Sequence, residues 1–171
     1  VASLADALRA MGVEPGDRVA AYLSNTPDAI VAFLATASVG AIWSVCAPDM
    51  GQVAVTDRFR QIEPKVLIAV DGYHYGGRAF DRTGVVAEMM TALPSVEHLV
   101  IVPQLHGDIS RAQFPQAKDW RAVTAKDVPL VVTPVASDHP LWILYSSGTT
   151  GMPKPIVHGH GGLLLVQTMM G

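Results

Sequence analysis

The chain has 171 residues, half of them hydrophobic and 16% charged, with a formal net charge of −3. That length and composition describe one soluble globular domain with its own core and set disorder aside. The scattered basic residues exclude the footprint of a nucleic-acid binder, and the single cysteine excludes a disulfide framework or a cysteine-only metal site and fits a reducing cytoplasm.

Val1 falls inside a helical pattern. After the turn dipeptide Pro15-Gly16, the apolar run 17–23 predicts a strand. A helix follows: Thr26 suits the N-cap, Pro27 the first helical position and Asp28 the positive helix end, and Gly40 stands where a C-terminal cap belongs. Apolar nearly all round, this helix is expected to be buried between layers. The run 29–45 contains Thr36, Ser38, Gly40 and Ser44, so it reads as two buried elements and not as a membrane span. No secretory leader is recognisable.

Residues 41–46 form a second strand, in which Cys46 reads as a small buried hydrophobe. Residues 52–62 predict a helix whose charged face carries Asp57, Arg58 and Arg60, and 66–70 a third strand. A Gly-rich loop over 71–77, a helix over 85–93 and a strand over 99–102 keep the alternation of an α/β sheet, doubly wound or similar. From 103 to 139, prolines and mixed polarity predict a mostly irregular connection. The run 141–145 resumes as a strand, 146–151 turns, 156–158 is extended, and 162–170 begins a helix. Both ends of the sequence read as cut, which predicts an incomplete domain.

The turn carries the chemistry. Ser146, Ser147, Gly148, Thr149, Thr150 and Gly151 place four hydroxyls and two glycines directly after a buried strand. Glycine lets successive backbone N–H groups converge on an anion, hydroxyls add donors, and Lys154 supplies a mobile cation. The same composition equally suits an ordinary surface turn. Gly148 and Gly151 lack the spacing of a P-loop, and no G-x-G-x-x-G follows a strand, so the two commonest nucleotide motifs lose their support.

The order of residues narrows this. YSSGTTGMPK at 145–154, followed by PIVHGHGG, resembles the signature of the adenylate-forming superfamily of acyl-CoA synthetases, luciferases and peptide-synthetase adenylation domains. GVEPGDRV at 12–19 and NTPDAI at 25–30 resemble its N-terminal domain. WSVCAPDMG at 43–51, DRFRQIEPK at 57–65, DGYHYGGR at 71–78 and HPLWIL at 139–144 resemble the branch of short-chain acyl-CoA synthetases whose acid is acetoacetate. One departure is Pro155, where a glycine commonly follows the lysine.

The resemblance implies an α/β, layered sheet-and-helix N-terminal domain, with residues 1–171 as part of an AMP-binding (adenylation) domain and the C-terminal domain absent. It implies a cytoplasmic acid–thiol ligase that activates acetoacetate with ATP and Mg²⁺ and passes the acyl group to coenzyme A, with no nucleic-acid or membrane partner. Ser146, Ser147, Gly148, Thr149, Thr150, Gly151 and Lys154 would hold the ATP phosphates. The superfamily's ribose-binding aspartate and C-terminal lysine have no counterpart here, so no catalytic residue is assigned and the 171 residues are expected to be inactive alone. The alternatives are an acetyl- or propionyl-CoA synthetase-like enzyme and a non-catalytic nucleotide-binding protein.

Other candidates read as structural. His158 and His160, at a spacing that sends both to one face of a strand, lack a carboxylate or cysteine neighbour, and no metal site is assigned. Phe33, Trp43 and Trp142 lie in apolar runs and read as core. Arg58, Arg60 and Lys65 could meet a coenzyme A phosphate but read first as a solvated face.

Overall fold

A computed structural model of the protein describes residues 1–106, 113–146 and 151–170. Helix α1 (Ala2–Ala10) precedes β1 (Arg18–Tyr22), which leaves a turn where Gly16 takes φ 90°. Helix α2 (Pro27–Ser38) starts with Thr26 in extended conformation as N-cap and Pro27 at its first position. It stops because Gly40, at φ 74°, turns the chain left-handed into β2 (Ile42–Cys46). Helix α3 (Gln52–Ile62) leads to β3 (Val66–Val70), and α4 (Thr83–Ala92) to β6 (His98–Val102).

Residues 71–77 differ from the loop expected of them. β4 (Gly72–Tyr75) and β5 (Arg78–Asp81) form an antiparallel hairpin. Its tip is Gly76-Gly77, at φ 56° and 73°, the positive pair that a two-residue turn needs to match strand twist. The glycines that suggested a loop are the turn, and Tyr73 and Phe80 stack across the pair with centroids 5.1 Å apart.

The 103–139 connection contains a two-residue strand β7 (Lys118–Asp119) and a short helix α5 (Trp120–Thr124), and 125–136 is irregular as expected. β8 (Pro140–Ser146) and β9 (Lys154–Gly159) precede α6 (His160–Met170), which begins two residues earlier than its sequence pattern suggested.

Seven strands form one sheet in the order β7-β6-β3-β1-β2-β8-β9, parallel throughout except for β9, which pairs antiparallel with β8. Alternate side chains feed two cores. Val19, Ala21, Val66, Ile68, Val100 and Val102 meet Leu4 and Leu8 of α1, Ala32 and Ala35 of α2 and Trp120 of α5. Ala20, Tyr22, Leu67, Ala69, Leu99 and Ile101 meet Val55 and Phe59 of α3 and Val86 and Met89 of α4. Helices on both faces explain why these strands read as unbroken apolar runs. Parallel pairing also gathers the carboxyl ends of β1, β2, β3, β6 and β8 on one edge, where open α/β sheets bind ligands.

Candidate functional site

Ser146 is the last residue of β8 and Lys154 the first of β9, and the antiparallel register sets them directly opposite each other. The candidate phosphate loop therefore leaves and re-enters the sheet at one point on its carboxyl edge. Gly151, at φ 89°, occupies a backbone region in which an L side chain would be strained. Lys154 is exposed, and among the described residues its ammonium has no hydrogen-bond or ion-pair partner. The structure thus brings together Ser146 and Lys154, with Gly151 three residues before the lysine; Ser147, Gly148, Thr149 and Thr150 lie outside the described residues. Pro155 sits opposite Tyr145 in β9, an edge strand, where a missing N–H is tolerated.

Helix α3 lies alongside. Tyr145 donates its hydroxyl to the Arg58 carbonyl at 2.7 Å, and the Arg58 guanidinium lies 5.6 Å from the Tyr145 ring centroid. Burial pushes the Tyr145 phenol up to about 12, so it remains a donor at any physiological pH. A groove of about 700 Å³ runs between Gly51, Gln52, Val53, Ala54, Asp57 and Arg58 on one side and Gly151 and Pro153 on the other. Arg58 is committed locally, donating to the Ala54 carbonyl at 2.6 Å; Arg60 pairs with Asp57 at 3.5 Å, and Lys65 pairs with Asp17 at 3.3 Å. The intramolecular partners of these three fit the structural reading of them.

Two further features build the edge. Asp71, fully buried after β3, accepts from the backbone N–H groups of Gln104, Leu105 and His106, each at 2.8 Å, fastening the chain after β6. Arg82 joins the β4–β5 hairpin to the loop after β2, donating to Pro48 O at 2.7 Å and to the Tyr73 hydroxyl at 3.1 Å. Sequence reasoning missed both. The Gly-Gly turn could have revealed the hairpin, but nothing local marks Asp71 as a buried cap.

The histidines lie elsewhere. β9 ends at Gly159, so His158 is in the strand and His160 starts α6; they do not share a strand face. Both are at the opposite end of the β8–β9 pair from Lys154. His158 packs edge-on against Trp142 and His160 lies 6.0 Å from the His139 ring. Burial, then the His139 charge, lowers the His160 pKa. Among the described residues no three His, Cys, Asp or Glu side chains converge as a metal site. Trp43 is buried, and Phe33 lies 6.2 Å from it and 5.6 Å from Trp142 at the wall of an apolar cavity of about 380 Å³.

Comparison with known proteins places this geometry. An AMP-binding enzyme family model matches residues 1–171. The chain is 44% identical to an acetoacetyl-coenzyme A synthetase of Rhizobium meliloti over 96% of its own length and 26% of that protein's. It is 41% identical to a malonamoyl-CoA synthetase of Penicillium aethiopicum, over 92% of this chain and 23% of that protein. The solved acetoacetyl-CoA synthetase from Streptomyces lividans superposes with a TM-score of 0.88 at 50% identity, covering 96% of this chain and 25% of that one. The chain thus spans about a quarter of the length of the relatives it matches. With the family model matched along its whole length and its α/β sheet shared with a solved relative, the chain belongs to the AMP-binding enzyme family.

Proposed function

We propose that these residues are the phosphate-binding part of an AMP-forming ligase that joins acetoacetate to coenzyme A. The observation that carries the reading is the placement of Ser146 opposite Lys154 at the carboxyl edge of a sheet shared with an acetoacetyl-CoA synthetase.

A carboxylate cannot expel oxide when a thiol attacks it, so the acid is first converted to a better leaving group. The acetoacetate carboxylate attacks the α-phosphorus of ATP and pyrophosphate departs; the coenzyme A sulfur then attacks the acyl carbon and AMP departs. The first step needs the triphosphate charge neutralised and its oxygens held in line. Here the hydroxyls of Ser146, Ser147, Thr149 and Thr150 and the backbone at Gly148 and Gly151 donate to phosphate oxygens, and the Lys154 ammonium neutralises charge. Magnesium would supply further neutralisation. Ser146, Gly151 and Lys154 would hold the phosphates that such an ion accompanies, and the ion would add positive charge there.

The reaction is proposed for the cytoplasm, on small molecules, without nucleic acid or membrane. The net charge of −3, with scattered basic residues, disfavours a polyanion partner. Lys154→Ala in the ligase carrying this chain is expected to lower acetoacetate-dependent exchange of pyrophosphate into ATP about a hundredfold, the usual scale for one lost charge-stabilising donor. Undiminished exchange would overturn the assignment.

The malonamoyl-CoA synthetase relative favours a second reading of the acid. Malonamate and acetoacetate both carry a carbonyl two carbons from the carboxylate. AMP release measured with acetoacetate, malonamate, acetate and propionate separates the readings; acetoacetate is expected to be the best substrate, and a preference for acetate would move the enzyme to the acetyl-CoA synthetases.

A further inference from the structure

Both ends of the β8–β9 hairpin are tied to one helix. Before Ser146, the Tyr145 hydroxyl donates to the Arg58 carbonyl of α3 at 2.7 Å. Before Lys154, the Pro153 carbonyl accepts from Gln61 Nε2 at 3.2 Å, three residues further along the same helix. The Gln61 amide is itself held, because the same nitrogen donates to the Asp57 carbonyl at 3.0 Å. The Arg58 guanidinium is fixed over the Tyr145 ring by its bond to the Ala54 carbonyl.

These ties meet a need created by the sequence. β9 is the edge strand, paired only with β8, and Lys154 is its first residue. Pro153 and Pro155 have no N–H, so the residues on both sides of Lys154 lack a backbone donor. Gly151 adds backbone freedom two residues before Pro153. An untied lysine at the end of such a segment would sample many positions, and a displacement of about 1 Å at a reacting group costs on the order of a hundredfold in rate.

We infer that α3 sets the position of the phosphate hairpin, with Tyr145 and Gln61 as its positioning residues: Tyr145 fixes the end that bears Ser146, and Gln61 the end that bears Lys154. This rests on the phosphate reading above. Gln61 is exposed, and an exposed hydrogen bond contributes little to stability, so its role is geometric and its loss separable from unfolding.

The test is steady-state pyrophosphate exchange by the full-length ligase with Gln61→Leu, Gln61→Glu and Tyr145→Phe, beside Lys154→Ala as reference. Each Gln61 variant lacks the donor, one apolar and one charged. Both are expected to lose about tenfold in kcat for exchange, with the KM for acetoacetate unchanged and melting temperatures within about 2 °C of wild type. Tyr145→Phe is expected to show the same split between kcat and KM. Wild-type kcat in the Gln61 and Tyr145 variants, beside an impaired Lys154→Ala, would overturn the positioning role and leave the phosphate reading standing. Losses that track a fall in melting temperature, or that raise the acetoacetate KM equally, would reduce the ties to general stability and overturn it too. Exchange unaffected by Lys154→Ala would overturn both.

Discussion

Tyr145 and Cys46 show how burial assigns roles to single groups. The Cys46 thiol, buried at the end of β2, is pushed up to about 11 by desolvation, which leaves almost no thiolate at neutral pH. Native protein at pH 8 is expected to react with an aromatic disulfide at less than about a hundredth of the rate of denatured protein, measured by thiolate release; equal rates would place the thiol in solvent. Burial raises the phenols of Tyr22 and Tyr145 from 10.0 to about 12. Both bind their proton more tightly when folded than when unfolded. The stability they contribute is therefore fully present below pH 10 and lost as pH rises from 10 towards 12. Absorbance at 295 nm should show Tyr22 and Tyr145 titrating late, together with the loss of helical circular dichroism. At this scale the strand, turn and strand that bear Ser146 and Lys154 were legible because the order of residues there is specific. Gln61 was not: a helical glutamine looks the same in sequence whether it faces solvent or a carbonyl 92 residues away.

At the scale of elements, legibility followed from layering. Strands β1, β2, β3 and β6 are apolar on both faces, so each stands out as a short run between turns, and α2 was bounded by Pro27 and Gly40. The β4–β5 hairpin was not legible as strands. It lies outside the main sheet, and its largely exposed Tyr75, Arg78 and Ala79 give no apolar run. Its base is demanding all the same. A Cβ at Gly72 would lie 2.5 Å from Leu105 Cδ2 and 2.6 Å from the Phe80 carbonyl oxygen, and backbone cannot step aside as a side chain can. Gly72→Ala is expected to destabilise the protein by about 1–3 kcal/mol, read as a lower denaturant midpoint. Gly84→Ala, where a Cβ meets open space, serves as the control and should not destabilise.

Over the whole molecule, the sheet's carboxyl edge gathers the turn between β8 and β9, the Asp71-capped turn and the Arg82-fastened hairpin from segments far apart in sequence. The fold class was readable from alternation; the strand order was not, because periodicity says which face a residue occupies but not which strand lies beside it. The same molecule leaves α6 without buried residues, exposing Leu164, Leu165, Val166, Met169 and Met170. An apolar surface of that kind on an isolated chain promotes association. The 171 residues alone are expected to self-associate in light scattering, and Leu164→Gln with Met169→Gln to reduce it; an unaltered monomer in both cases would argue against this.

The seat of β8 carries a consequence for how the protein is made. β8 docks on β2 through Trp43↔Trp142 and through the Ser44 hydroxyl bonded to the Ile143 carbonyl, partners 99 residues apart in the chain. Such a distant pairing is slow to form, and a ribosome delivers β8 only after the strands that receive it. The lysine-bearing hairpin is therefore among the last parts of this sheet to be completed, and a nascent chain that has built most of its core still lacks the pairing of Ser146 with Lys154.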